Sequence, residues 1–176
     1  MQRKIENIAN EGGLTSLLFL YLEMNTELVE RLVNEALGED SPLFLISLEF
    51  LPESKISIII DGDEGVPLNE CIRVSRAVES ELDREEEDFS LEVSTPDITK
   101  PLLVFRQFKK NIGRTLSVKT NEGKFEGKLV DVIGEDVVLN WSAREPKPIG
   151  KGKITVQKSV TLPFNNIVEA KVKLIF

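Results

Sequence analysis

Two prolines five residues apart, Pro96 and Pro101, interrupt a chain that is otherwise regularly patterned on both sides. Ahead of them, Phe89, Leu91 and Val93 alternate with Ser90, Glu92 and Ser94, the period of a half-buried strand. Pro96 ends that strand, and the residue before each proline (Thr95, Lys100) is driven towards extended backbone. Residues 96–101 therefore read as a stiff connector between two folded halves. Charge changes at the same place. Up to Pro96 there are 7 Lys+Arg against 22 Asp+Glu, a net of −15; from Asp97 onward there are 15 against 8, a net of +7. Such asymmetry points to a polyanionic partner for the second half alone, because the −8 of the whole chain would repel phosphate at long range, and it is equally compatible with two solvated surfaces of opposite sign that attract one another.

The residue inventory excludes several chemistries. There is no histidine, which removes His-based triads and most zinc sites. A single cysteine, Cys71, excludes an intrachain disulfide and suits a reducing compartment.

Residues 1–23 are expected to be a leader or start-site extension ahead of Met24, disordered or forming an extra helix. The apolar run Leu14–Leu22 is shorter than the roughly 20 residues that span a bilayer. Glu6 and Glu11 upstream, and Glu23, Met24 and Asn25 downstream, do not suit a cleaved signal. From residue 24 to 95 the pattern predicts an α-β-β-α-β domain with its helices on one face of a three-stranded sheet. Asn25 or Thr26 starts a helix with the stripe Leu28, Leu32, Val33, Ala36 and Leu37, and Gly38 stops it. A hairpin follows, with Phe44, Ile46, Leu48 and Phe50 sharing a face, a turn at Pro52–Ser54 and a second strand from Lys55 to Ile60. The second helix starts at Pro67 or Leu68 and buries Cys71, Ile72, Ser75, Val78 and Leu82, so Cys71 reads as a small core hydrophobe. Asp61, Asp63 and Glu64 resemble the start of a calcium loop, but its twelfth position is Ile72, and a solvated turn is expected. No lysine follows the glycines as in a phosphate-binding loop. The element order also suits RNA-binding modules of the KH type, but their G-x-x-G clamp is absent.

Beyond the prolines, Val104–Asn111 predicts a short helix with Val104, Phe105 and Phe108 inward and Arg106, Lys109 and Lys110 outward, stopped by Gly113. Strands are expected at Arg114–Thr120, Lys124–Val132, Val137–Trp141, Lys153–Leu162 and Ile167–Ile175, with a long Pro/Gly/Lys loop from Ser142 to Gly152. Five strands after a short helix describe a small closed β-barrel over residues 102–176, with Gly127 at a sharp bend.

Three blocks of this sequence resemble the ribosome maturation factor RimP family. They are L-N-E-C-I-R-V-S-R-A-V-E-S-E-L-D (Leu68–Asp83), F-S-L-E-V-S-T-P-D-I-T-K-P-L with the following F-K-K-N-I-G-R, and L-P-F-N-N-I-V-E-A-K-V. Asp97 stands where the family usually has glycine, Thr99 where it has aspartate and Lys100 where it has arginine, whose two-pronged contact lysine cannot make. The resemblance implies an α/β first domain, an Sm-like second domain, and a cytoplasmic, non-enzymatic role in maturing the small ribosomal subunit. It also implies contact with immature small subunits and with small-subunit ribosomal protein twelve through the barrel, without a cofactor, a metal or a membrane. On that reading the basic barrel docks on a ribosomal protein and nearby rRNA through Arg106, Lys109, Lys110, Arg114, Lys124 and Lys128, with Lys100 positioning the domains. Two alternatives stand beside it. One is a stand-alone Sm-like RNA-binding protein stacking bases on Phe105, Phe108, Phe125, Trp141 or Phe164. The other is a carboxylate enzyme on the acidic half, for which no carboxylate pair is placed on an apolar pocket.

Overall fold

The computed structural model describes residues 14–39, 41–52, 54–82 and 89–174, with residues 14–25 described by their backbone alone. The chain divides into two compact units, Met1–Thr95 and Pro96–Phe176.

In the first unit the order is α1 (Leu14–Leu37), β1 (Leu43–Leu51), β2 (Lys55–Gly62), α2 (Leu68–Glu81) and β3 (Ser90–Ser94). The helix expected to begin near Thr26 begins at Leu14 instead, so Leu14–Leu22 is its first part. The reason is simple: no glycine or proline interrupts Leu14–Leu37, and Asn25 and Thr26 are tolerated inside a helix. Gly38 ends it at φ +85°, donating its N–H to Asn34 O at 3.0 Å. Residues 1–13 of the expected leader lie outside the described residues. No described helix is long and apolar enough to cross a membrane.

The sheet runs β1-β2-β3, with β1 and β2 antiparallel and β3 parallel to β2. That parallel return is what α2 makes possible, since parallel neighbours need a crossover. Val29, Leu32, Val33 and Leu37 of α1 and Cys71, Val74 and Val78 of α2 close over Ile56, Ile58 and Ile60 of β2. Two expected faces are revised. A bulge between Leu45 and Ser47 takes up Ile46, so the inward side chains are Leu43 and Leu45 before it, and Leu48 and Phe50 after it. Neither Phe44 nor Ile46 belongs to that core. On α2 the buried stripe is Cys71, Val74 and Val78, spaced three and then four, and Ile72 is 43% exposed.

The second unit holds α3 (Phe105–Lys110), β4 (Thr115–Thr120), β5 (Lys124–Ile133), β6 (Asp136–Pro146), β7 (Lys153–Pro163), a 3-10 turn (Phe164–Asn166) and β8 (Ile167–Val172). The strands form one antiparallel sheet in the order β7-β6-β5-β4-β8. The expected closed barrel is an open sheet here, with no β7–β8 pairing among the described residues. Its 6-residue β8 pairs only with β4, and the far half of β7 pairs with β6 away from the core. The expected long loop is also revised: β6 continues to Pro146, leaving residues 147–152 as the turn, closed by Lys147 N–H donating to Gly152 O at 3.1 Å.

Inward positions alternate as the pleat requires: Leu116 and Val118, Leu129, Val137 and Leu139, Leu162 and Ala170. Phe108 of α3 packs onto them with no exposed surface. Gly127 has a specific reason. A Cβ there would stand 2.9 Å from the backbone O and 3.2 Å from the carbonyl carbon of Asn140, on the neighbouring strand β6. Gly127→Ala is therefore expected to cost about 1–3 kcal/mol, despite the better strand propensity of alanine. A lowered thermal midpoint followed by Trp141 fluorescence checks it.

Candidate functional site

The proline-bounded segment is built by its own side chains. The Asp97 carboxylate accepts from the Thr99 N–H and the Thr99 hydroxyl, both at 2.8 Å, and Lys100 N–H donates to Asp97 O at 2.9 Å. This is an Asx turn, and it needs no positive φ at residue 97; Ser54 is the only non-glycine residue with positive φ among those described. Leu102 N–H then donates to Ala170 O at 2.8 Å, tying the segment to β8. The two Thr99 hydrogen bonds, helped by the Lys100 charge, hold the Asp97 carboxyl below its usual 3.8. A depressed folded value means that the turn's contribution is complete above 3.8 and lost as pH falls through the lower value. In a pH titration the Thr99 amide resonance is expected to shift with a midpoint below 3.8, and not to do so in Asp97→Asn. Lys100 itself is exposed at the end of this turn.

Helix α3 is short and is held by what surrounds it. Gln107 is buried, and its side-chain Oε1 accepts from Leu103 N–H at 2.7 Å and Val104 N–H at 3.2 Å, satisfying donors at the helix start. Asn111 Nδ2 donates to Gln107 O at 2.7 Å at the other end. Phe105 and Phe108 pack with Phe164, with centroids 5.4 and 5.6 Å from it. Lys109 is exposed, one turn on from Phe105 and with its Nζ 5.9 Å from that ring centre, whereas Arg106 and Lys110, expected to face outward, are half-buried and each engaged.

The remaining expected contact residues are elsewhere. Arg114 is exposed just ahead of β4, its N–H donating to Asn111 O at 3.0 Å. Lys124 and Lys128 project from the outer face of β5, since the alternate residues Gly127 and Leu129 are buried. Because α3 covers the inner face through Phe108, the helix cations and the strand lysines form two separate groups.

The register adds lysines that the sequence reading did not gather. Lys119 is directly opposite Lys124, Thr115 opposite Lys128, and Ser117 opposite Lys171. The outer face of β5-β4-β8 thus carries Lys119, Lys124, Lys128, Lys171 and Lys173 with Glu126 and Glu169. Both glutamates are engaged, Glu126 with Lys173 at 2.6 Å and Glu169 with Lys171 at 3.2 Å. Lys119, Lys124 and Lys128 have no carboxylate partner among the described residues, which leaves a compact cationic face suited to a polyanion. The alternation of charged and apolar residues in β4 and β8 was the available signal, but register is needed to bring the strands together.

The other chemistries have no comparable geometry. Cys71 is buried, and burial, with Glu70 adding to it, pushes its thiol up, away from the reactive thiolate. No group of three or more metal-ligating side chains occurs among the described residues.

Comparison with known proteins joins these observations. The family model described as RimP N-terminal domain matches residues 33–99. The chain is 55% identical over 153 residues to a ribosome maturation factor RimP of Christiangramia forsetii, covering 87% of this chain and 100% of that protein. It is 47% identical over 150 residues to that of Flavobacterium psychrophilum, covering 85% and 97%. For that of Porphyromonas gingivalis the identity is 34% over 149 residues, covering 84% and 97%. With identity of that order over most of its length, the chain belongs to the ribosome maturation factor RimP family.

Proposed function

We propose that this protein is a cytoplasmic, non-enzymatic maturation factor for the small ribosomal subunit, acting by docking rather than by chemistry. Its second unit serves as the Sm-like module and docks on small-subunit ribosomal protein twelve and adjacent rRNA. The observation that carries the reading is full-length similarity to proteins named as ribosome maturation factors, at 55% identity over 87% of the chain. The contacts are assigned to Lys100, Arg106, Lys109, Lys110, Arg114, Lys124 and Lys128, supported by the exposure of Lys100, Lys109, Arg114, Lys124 and Lys128. An Sm-type reader that stacks free bases is less well supported, because Phe105, Phe108 and Phe164 are packed on one another. Sedimentation of a lysate tests the proposal. Co-migration with immature small subunits, and not with full ribosomes, is expected; a protein that stays at the top of the gradient at low salt would overturn it.

A further inference from the structure

β6 and β7 pair over eleven successive positions without a register shift, from Asp136–Pro163 to Pro146–Lys153. Only the base of this hairpin belongs to the core. The last partner of β6 on β5 is Asn140, opposite Lys128, and Trp141 still packs its ring against Phe125 of β5, so residues 142–146 pair with β7 on one side and with no strand on the other among the described residues. From Ser142 to Ser159 no residue is buried, on either face of the ribbon. Residues 142–146, at about 3.3 Å each, make an arm of roughly 16 Å. Two strands alone are marginal in water, and this one is held internally by its backbone ladder and by cross-strand pairs such as Ser142 Oγ to Gln157 Oε1 at 3.2 Å.

The arm's charge is one-sided. Residues 142–159 contain Arg144, Lys147, Lys151, Lys153 and Lys158 against Glu145 alone. Glu145 is engaged by Lys158. The other four cations have no carboxylate partner among the described residues, and all are exposed. They are spread from the middle of the arm through its tip, where Ile149 is 89% exposed. A protein groove would favour an apolar, charge-depleted contact. A row of cations on a narrow two-stranded ribbon instead matches the regular negative charge along the backbone of a nucleic-acid helix.

We infer that the β6–β7 arm is an RNA-binding element whose Arg144, Lys147, Lys151 and Lys153 lie along the phosphate backbone of double-helical RNA. Recognition is by shape and phosphate, as A-form helices require, and does not select a sequence. The inference deepens the docking reading above, on which it rests for the presence of rRNA, but it uses residues outside the seven assigned there.

The test uses the full chain and a labelled RNA hairpin with a stem of about twenty base pairs, enough for the contacts that one such module spans. Arg144→Gln/Lys147→Gln/Lys151→Gln/Lys153→Gln is expected to weaken binding about tenfold or more at low salt and to reduce the log Kd against log salt slope by about 3. Arg31→Gln/Lys55→Gln, which removes exposed charge from the first unit, controls for net charge and should leave that slope unchanged. Equal affinity and slope for the quadruple variant would overturn the inference, as would wild-type protein that does not bind the RNA hairpin. Loss of small-subunit association with RNA hairpin binding intact would also overturn it, by assigning the arm to a protein partner. Arm-dependent RNA binding without co-sedimentation with immature subunits would support the arm and reject the docking reading, so the two failures are distinguishable.

Discussion

Phe108→Ala is expected to destabilise the second unit by about 3–5 kcal/mol, a large part of the roughly 5–15 kcal/mol that a domain has available. Phe108 has no exposed surface and stands at the centre of the cluster formed by Leu116, Val118, Leu129, Val137, Leu139, Leu162 and Ala170. It is also the side chain that fixes α3. A helix of 6 residues has no stability of its own, so it persists only while its apolar side is packed. Truncation to alanine removes the edge-on contact with Phe164, 5.6 Å between centroids, and leaves a cavity that a sheet bonded on both sides cannot collapse to fill. Phe105 is only half-buried and cannot substitute. The single tryptophan, Trp141, lies in β6 and reports on this unit alone. Helical circular dichroism reports chiefly on α1 and α2, which make up most of the described helix. The expected result is an early Trp141 transition in urea while the helical signal keeps its wild-type midpoint, because the two cores share no residue. A Trp141 midpoint unchanged from wild type would show that Phe108 does not hold the unit together.

The sequence made some of this legible and hid the rest for identifiable reasons. Strand alternation and helix stops are local, so the order of elements, the β3 strand and the helix stop at Gly38 could be read from residue spacing. Ile46 could not: a bulge changes which neighbours share a face, and it depends on the pairing of β1 with β2. Ile72 was misplaced because an apolar residue beside a buried one satisfies a hydrophobic pattern almost as well as the true stripe. The start of α1 was missed because Asn25 and Thr26 are good caps yet also survive inside a helix. The β7 side of the arm was legible as a strand from Lys153, but its β6 side looked like a loop, since Pro146, Pro148, Gly150 and Gly152 cluster at the turn and residues 142–146 lack the apolar alternation that burial imposes. At the candidate site the cations themselves were visible, but their grouping was not. Lys119, Lys124 and Lys128 meet only through the β4–β5 register, and of the two glutamates nearby Glu169 is neutralised by Lys171 on its own strand and Glu126 by Lys173, far from it in sequence.

Lys119→Glu/Lys124→Glu/Lys128→Glu is expected to abolish co-sedimentation with immature small subunits while leaving the fold intact. The three lysines are exposed and lack carboxylate partners among the described residues, so their reversal breaks no ion pair. The change of six charge units on one face turns attraction for phosphate into repulsion, and a loss well beyond tenfold follows from the counterion-release dependence of such contacts. Replacement by glutamine separates binding from folding. Lys119 and Lys124 are directly opposite one another across the β4–β5 ladder, and like charges in that position are destabilising by about 0.2–1 kcal/mol. Lys124→Gln should therefore stabilise the second unit slightly while weakening subunit association and flattening its salt dependence by roughly one contact. A change that raises stability and lowers binding cannot be explained by damage to the fold. Lys171→Gln and Lys173→Gln should have smaller effects on association, because those charges are already spent on Glu169 and Glu126. If the triple reversal co-sediments as wild type does, the outer face of β5-β4-β8 is not the docking surface, and the cations of α3 are left to provide it.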